Sequence, residues 1–345
     1  MDVVRDPVLA AQALAGGRLA ALPTETVYGL GARADDPHAI ARIYAVKGRP
    51  VDHPLIVHLG SISALSAWIE RVPDYASALA QAYWPGPLTL VLPRSARARD
   101  FVTGGQDCVA LRSPAHPVLA EVLHLLAESV QDQAVGVAAP SANRFGRVSP
   151  TIADHVRAEL GEFLGAGDVI LDAGPSAVGI ESTIVDCTMD TPRLLRPGAI
   201  TAEMVREVTG LPVVIGSPIR ASGTLAAHYA PSARVVIVDV DGLLEAAEHV
   251  GATADTGLLA LAEIPTPPGL VRLSSPSTPQ AYAAALYHAL READDLGLKR
   301  VLVLLPPADG IGLAIRDRVG RAAHGSDRHS RPDRSGHPDP ASAAG

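Results

Sequence analysis

Short apolar runs alternate with amphipathic stretches along this chain, and glycine or proline marks most of the changes between them. Asp6-Pro7 opens a helix that stops at Gly16-Gly17, and the apolar run from Arg18 to Leu22 predicts a buried strand. Asp36 and Pro37 supply the N-cap and first residue of a second helix. Strands are predicted at 55–59, 88–92, 109–112, 135–138, 168–172 and 183–187, with helices at 74–83 and 118–128. Thr151 is expected to cap a helix to Leu160, and Thr201 one to Val208. The charged run 95–107 reads as an exposed loop, and 174–179 as a flexible one.

Pro212, Gly216, Pro218, Gly223 and Pro231 break up the next segment, which reads as a linker. Beyond it the alternation restarts, with strands at 234–240, 257–261 and 300–305 and helices at 243–250, 278–293 and 313–323. Strand and helix in turn predict a parallel α/β sheet. The expected organisation is therefore 1–210, a linker at 211–232, an α/β unit at 233–324 and a disordered tail at 325–345. His324, His329 and His337 near that end are not expected to hold a metal.

Composition narrows the function classes. Hydrophobic residues make up 48% but aromatic residues only 3%, so Ala, Val, Leu and Ile must build the core. No apolar run approaches the ~20 residues of a membrane span. The acid-bearing start, Met1 to Asp6, lacks the apolar centre of a secretory signal. Cys108 and Cys187 are isolated, without disulfide or metal spacing, and a reducing cytoplasm is expected. A formal net charge of −8 argues against an electrostatically driven nucleic-acid binder, though not against a local basic groove.

The chemistry concentrates between Pro23 and Leu59. A strand runs into Pro23-Thr24-Glu25-Thr26-Val27-Tyr28-Gly29-Leu30-Gly31, with hydroxyls, a carboxylate and two glycines. After the helix come Lys47 and Arg49, separated only by Gly48. Two cations so placed suit an anionic ligand such as a triphosphate. On spacing alone, a solvated Lys-Gly-Arg turn is the favoured reading. Gly29 to Ala34 imitates a G-x-G-x-x-A dinucleotide fingerprint, but the helix starts too late for a pyrophosphate to sit on it. No Walker-type loop is present. His53 and His58 are five residues apart, so strand alternation sends them to opposite faces and a shared metal is not expected.

The sequence PTETVYGLG, then KGRP at 47–50 and PLIVH at 54–58, resembles the signature of the YrdC family, the threonylcarbamoyl-AMP synthases. The resemblance continues through Pro140-Ser141-Ala142-Asn143, Glu181-Ser182-Thr183, Arg196-Pro197-Gly198 and His228-Tyr229-Ala230-Pro231, and covers Arg5 to about Ala323. It implies the long form of the family. That form has a catalytic domain with a twisted, open mixed sheet and a concave groove, followed by a smaller Rossmann-like α/β domain. The implied reaction joins L-threonine, bicarbonate and ATP into L-threonylcarbamoyl-AMP and pyrophosphate, for the threonylcarbamoyladenosine modification of tRNA. Such chemistry needs cations and positioning more than an enzyme nucleophile, and no G-x-S-x-G elbow or clear Cys/His pair is present.

Carried over by resemblance, Thr26, His58, Arg112 and Ser182 would surround threonine and its carbamate. Lys47, Arg49, His53, Cys108, Ser141, Asn143, Ser149 and Arg196 would surround ATP, with Lys47 and Arg49 central to catalysis. Tyr229 would close the linker over the nucleotide as a lid. Mg²⁺ would be held through the ATP phosphates rather than by protein ligands. The implied partner is the downstream tRNA threonylcarbamoyl-transferase machinery, with tRNA met only indirectly or weakly, and no membrane. Structural readings stand beside these: Thr26 as a strand residue, Ser141 and Ser182 as turn caps, Tyr229 as interdomain packing, and Glu25 as a salt-bridge partner of Arg49. The family often has Asn where His53 stands and Thr where Cys108 stands, and the linker lacks the family's P-G-M-[KR] segment. An RNA-binding module using the same groove is the alternative reading.

Overall fold

The computed structural model describes residues 2–250 and 255–329. Among them, eleven strands form one mixed sheet and four form a second. Through the middle of the large sheet the order is Ala20–Leu22, Gly29–Arg33, Gly136–Ala138, Ile56–Leu59, Cys108–Arg112, Leu88–Pro93, Thr183–Asp186 and Arg193–Arg196. Parallel and antiparallel pairings are mixed, as in an open α/β sheet. The parallel neighbours Ile56–Leu59 and Cys108–Arg112 put His58 directly beside Arg112.

Local signals set the elements that carry the site. Asp36 accepts hydrogen bonds from the backbone of His38 and Ala39 (2.9 and 3.0 Å), and the helix runs from Pro37 to Lys47. Gly48 ends it with φ +61°, a conformation that glycine adopts without a Cβ penalty. That left-handed step turns the chain so that Lys47 and Arg49 both face inward. Ile40, Ile43 and Tyr44 anchor the helix in the main core with Trp68, Leu90 and Leu111.

The small sheet is all parallel, in the order Arg234–Val238, Arg300–Leu304, Thr256–Leu259, Val271–Ser274. Helices Pro279–Asp295 and Gly312–His329 pack against it. Their core is continuous with the first unit, because Val27, Val148 and Ile180 are buried in the same cluster as Tyr282, Tyr287 and Leu290.

Several expectations need correction. The run 95–107 is no plain exposed loop: Asp100–Thr103 is a helical turn, with Ala98, Val102 and Thr103 buried. Thr151 does not cap its helix, which starts at Ala153; its backbone N–H and its hydroxyl both turn to the His155 ring. The 174–179 segment is tied down by Ser176 N–H to Thr151 and Val178 N–H to Glu25. The linker begins by joining the large sheet through Val214–Ile215. The last helix passes 324 and continues to His329, with Ser326 buried against the backbone of Val235. The rest of the expected tail, 330–345 with His337, lies outside the described residues.

Candidate active site

A cavity opens where the large sheet, the 141–149 segment and the linker meet. Lys47, Arg49 and Arg196 all line it, and all are buried. Lys47 donates through Nζ to the carbonyls of Ser141 and Asn143, both at 2.5 Å. Arg49 donates to the carbonyl of Pro54 at 2.9 Å. Arg196 donates to the carbonyls of Ser182 (2.8 Å) and Ser222 (2.8 Å). Among the described residues none of the three has a carboxylate partner. Their hydrogen bonds go to neutral oxygens, and Glu181 acts on Arg196 through space without a direct contact. Burial, and then the like charge of Arg49, holds the Lys47 ammonium well below the usual lysine range. Burial likewise pulls Arg49 down to about 10 and lowers Arg196.

The opposite wall is built differently. Arg112 donates to the Thr26 hydroxyl at 2.7 Å and to the Gly86 carbonyl at 3.1 Å. It pairs with Glu25 at 2.6 Å, so Glu25 serves Arg112 and not Arg49. Burial pushes the Glu25 carboxyl up, but the charge and hydrogen bond of Arg112 outweigh it and leave it lowered. His58 sits beside Arg112. Burial, then the Arg112 charge, drives its pKa down to about 3, so the ring is neutral. Thr24 and Thr26 share a 2.8 Å hydroxyl contact. The Ser182 hydroxyl meets that of Thr89 at 2.7 Å.

Asn143 does two things. Its amide nitrogen donates to the carbonyls of Arg144 (2.7 Å) and Arg147 (2.9 Å), shaping the turn. Its Oδ1 is buried without a hydrogen-bond partner, as is Nδ1 of His58. Unpaired polar atoms in a cavity wall are what a ligand's own donors would satisfy.

From the linker side come Ser222, Gly223, His228 and Tyr229. Tyr229 has φ +61°, rare for a bulky residue, and its hydroxyl donates to the Gly223 carbonyl at 3.4 Å. Of the expected site residues, Thr26, Lys47, Arg49, His58, Arg112, Ser141, Asn143, Ser182, Arg196 and Tyr229 line this cavity. Three do not. Ser149 lies one layer back, donating to Glu181 at 2.6 Å. His53 stands at the rim, edge-on to Phe145 with ring centres 5.3 Å apart. Cys108 lies in a separate apolar patch with Ile56, Val91 and Ile184, covered by Ile219 and Ala221 of the linker.

Residues 12–198 match the family model described as "Telomere recombination" (Sua5/YciO/YrdC), and residues 200–324 match "Threonylcarbamoyl-AMP synthase, C-terminal domain". The chain is 37% identical over 331 residues to the Pyrococcus abyssi protein named threonylcarbamoyl-AMP synthase, covering 91% of this chain and 93% of that one. It belongs to the threonylcarbamoyl-AMP synthase family. A Bacillus subtilis protein of the same name is 38% identical over 339 residues, covering 93% and 94% of the two chains. The structure of P. abyssi Sua5 complexed with L-threonine matches with a TM-score of 0.80 at 35% identity, covering 93% of this chain and 94% of that one.

For a threonylcarbamoyl-AMP synthase, reading the sequence missed Glu181, His228, Phe145 and Ser222 as cavity residues. Glu181 and His228 are the first residues of two of the quoted motifs, and that position was a usable signal. Phe145 and Ser222 carry none, because they reach the cavity only by tertiary folding. No group of three or more His, Cys, Asp or Glu side chains suited to a metal occurs among the described residues. Nor is any helix among them long and apolar enough to cross a membrane.

Proposed function

We propose that this chain condenses L-threonine, bicarbonate and ATP to L-threonylcarbamoyl-AMP and pyrophosphate, supplying the threonylcarbamoyl group for tRNA modification. One observation carries the reading. Three buried cations converge on a cavity and, among the described residues, hydrogen-bond only to neutral oxygens, so their charge is left for an anion.

The threonine amine and bicarbonate first give a carbamate and water. A carbamate oxygen then attacks the α-phosphorus, and the bond to the bridging oxygen of pyrophosphate breaks. Negative charge grows on the phosphates, and preorganised cations stabilise it without reorganising. Lys47, Arg49 and Arg196 are placed in that role, with Ser141 and Asn143 beside them and Tyr229 covering the nucleotide. Thr26, Arg112, Ser182 and neutral His58 are placed around threonine and its carbamate. His53, Ser149 and Cys108, which do not line the cavity, are left without direct nucleotide contact.

The one carboxylate placed among these cations, Glu181, is engaged by Ser149, Tyr287 and Arg318. The residues therefore do not suit a resident Mg²⁺, and magnesium enters this reading as part of the ATP substrate complex. The product is an easily hydrolysed carbamoyl adenylate, and the consumer in this reading is a transferase that moves the whole threonylcarbamoyl group onto tRNA, with AMP leaving. Both cysteines are buried free thiols, which fits a reducing cytoplasm.

The test is incubation of the purified chain with ATP, Mg²⁺, bicarbonate and single amino acids, with chromatography for a new adenylate. The expected outcome is an adenylate and pyrophosphate that require both threonine and bicarbonate. ATP binding without such a product would refute the reaction.

A further inference from the structure

We propose that the second domain forms part of the nucleotide site, with Arg318 as a positioning residue that neutralises and orients Glu181. This rests on reading the cavity as an ATP site. Glu181 is buried and lines the cavity among the three cations. Its two oxygens are fully engaged from behind. Oε1 accepts from the Ser149 hydroxyl at 2.6 Å, and Oε2 accepts from the Tyr287 hydroxyl and from Arg318 Nε, both at 2.8 Å. Tyr287 and Arg318 belong to the two long helices of the second domain, and Arg318 is 0% exposed.

The same guanidinium donates to the Pro197 carbonyl at 3.0 Å, one residue past Arg196, and lies 5.3 Å from the centre of the Tyr229 ring. Tyr287 stacks on Tyr229 with centres 5.5 Å apart. One turn further along that helix, Arg291 donates to Glu159 at 2.5 Å and also to the Val148 carbonyl. Glu159 in turn accepts from the backbone of Arg144, next to Asn143. Second-domain side chains thus back the cavity at Glu181 and Pro197 and behind the 143–149 turn.

The physical need is clear from charge. A carboxylate facing a triphosphate repels it unless a cation holds its charge. Arg196 alone cannot both neutralise Glu181 and serve the nucleotide. Arg318, approaching from the far side, pairs with Glu181, while its other carboxylate neighbour, Asp317, is shared with Arg321, and Arg196 is left for ATP. A buried pair broken on one side leaves an uncompensated charge, which is the costly outcome.

Kinetics of the full chain test this. Arg318→Met is expected to raise KM for ATP at least tenfold while KM for threonine changes less than twofold. Adding Glu181→Gln, which removes the stranded charge, is expected to bring KM for ATP back to within about threefold of wild type. A purely structural role would shift both KM values together and would not be rescued. Unchanged KM for ATP in Arg318→Met, or no rescue in the double variant, would overturn the proposal. If Arg318→Met does not fold, Tyr287→Phe carries the test: at least a threefold rise in KM for ATP alone supports it, and no change overturns it. Wild-type protein that shows no saturable ATP binding by calorimetry would instead sink the ATP reading itself.

Discussion

Replacing Lys47 with methionine removes a buried charge while keeping nearly the same length of side chain. Lys47 is 2% exposed, and its ammonium rests on two carbonyls at 2.5 Å. Burial and the neighbouring Arg49 lower its pKa well below the ordinary 10.5. The unfolded chain therefore holds the proton more tightly than the folded one. Stability is reduced in full below the folded pKa and recovers as pH rises from that value towards 10.5. Lys47→Met leaves two carbonyls unpaired, at about 1–3 kcal/mol each, but recovers a desolvation cost of several kcal/mol. Net stability should change by no more than ~2 kcal/mol. Function should not be spared, because loss of one preorganised charge contact costs ~10²–10³ in turnover. A bound triphosphate favours the ammonium and raises its pKa, so ATP binding should take up a proton wherever the free site is partly neutral. Above about pH 8 the phosphates themselves no longer titrate. Calorimetry of ATP binding in buffers of different ionisation enthalpy measures the uptake directly. The expectation is a fraction of a proton that grows with pH and vanishes in Lys47→Met. Equal uptake in the variant, or turnover within about threefold of wild type, would refute the reasoning.

Gly179 has φ +77°, and a Cβ there would stand 2.4 Å from the Cα of Ala284 and 2.6 Å from the Ala283 carbonyl oxygen. Neither backbone can yield cheaply, so Gly179→Ala should cost about 2–4 kcal/mol in denaturant unfolding; an unchanged midpoint would refute the close domain packing. Burial pushes the Cys108 thiol up to about 11 and that of Cys187 higher still. A thiol reagent at about pH 8 should therefore label neither in the native chain and both after denaturation; rapid native labelling would contradict the burial.

Where the governing interactions are local, the sequence was a sufficient guide. Asp6, Asp36 and Thr201 each accept a hydrogen bond from the first turn of the helix they precede, a contact made within three residues. Thr151 looked the same and is not, because His155 competes for its polar groups. The strand Val271–Ser274 was missed for a related reason. Arg272 interrupts its apolar run, yet the guanidinium folds back onto the carbonyls of Ala260, Leu261 and Ser274. Asp2–Val4 exists as a strand only because Val169–Leu171 lies beside it, 167 residues away. In the cavity the motif residues were legible as a set. Their division of labour was not: Glu25 meets Arg112 across 87 residues of chain, and Glu181 meets Arg318 across 137.

That division separates two kinds of buried cation. Arg112 carries the carboxylate partner Glu25, Arg318 carries Glu181 and Asp317, and their charge is spent within the fold. Among the described residues, Lys47, Arg49 and Arg196 have only carbonyl and hydroxyl hydrogen-bond partners. For stability alone the second arrangement is poor, since an apolar side chain of similar volume avoids the desolvation cost that neutral oxygens only partly offset. A carboxylate beside each cation would be a better structural solution and a worse binding site, because an incoming phosphate would have to displace it. The fold accepts uncancelled charge at the positions where an anion must later arrive, and cancels charge where the wall only has to stand still. High salt should therefore weaken ATP binding without loosening the Arg318–Glu181 pair, which is buried at 2.8 Å.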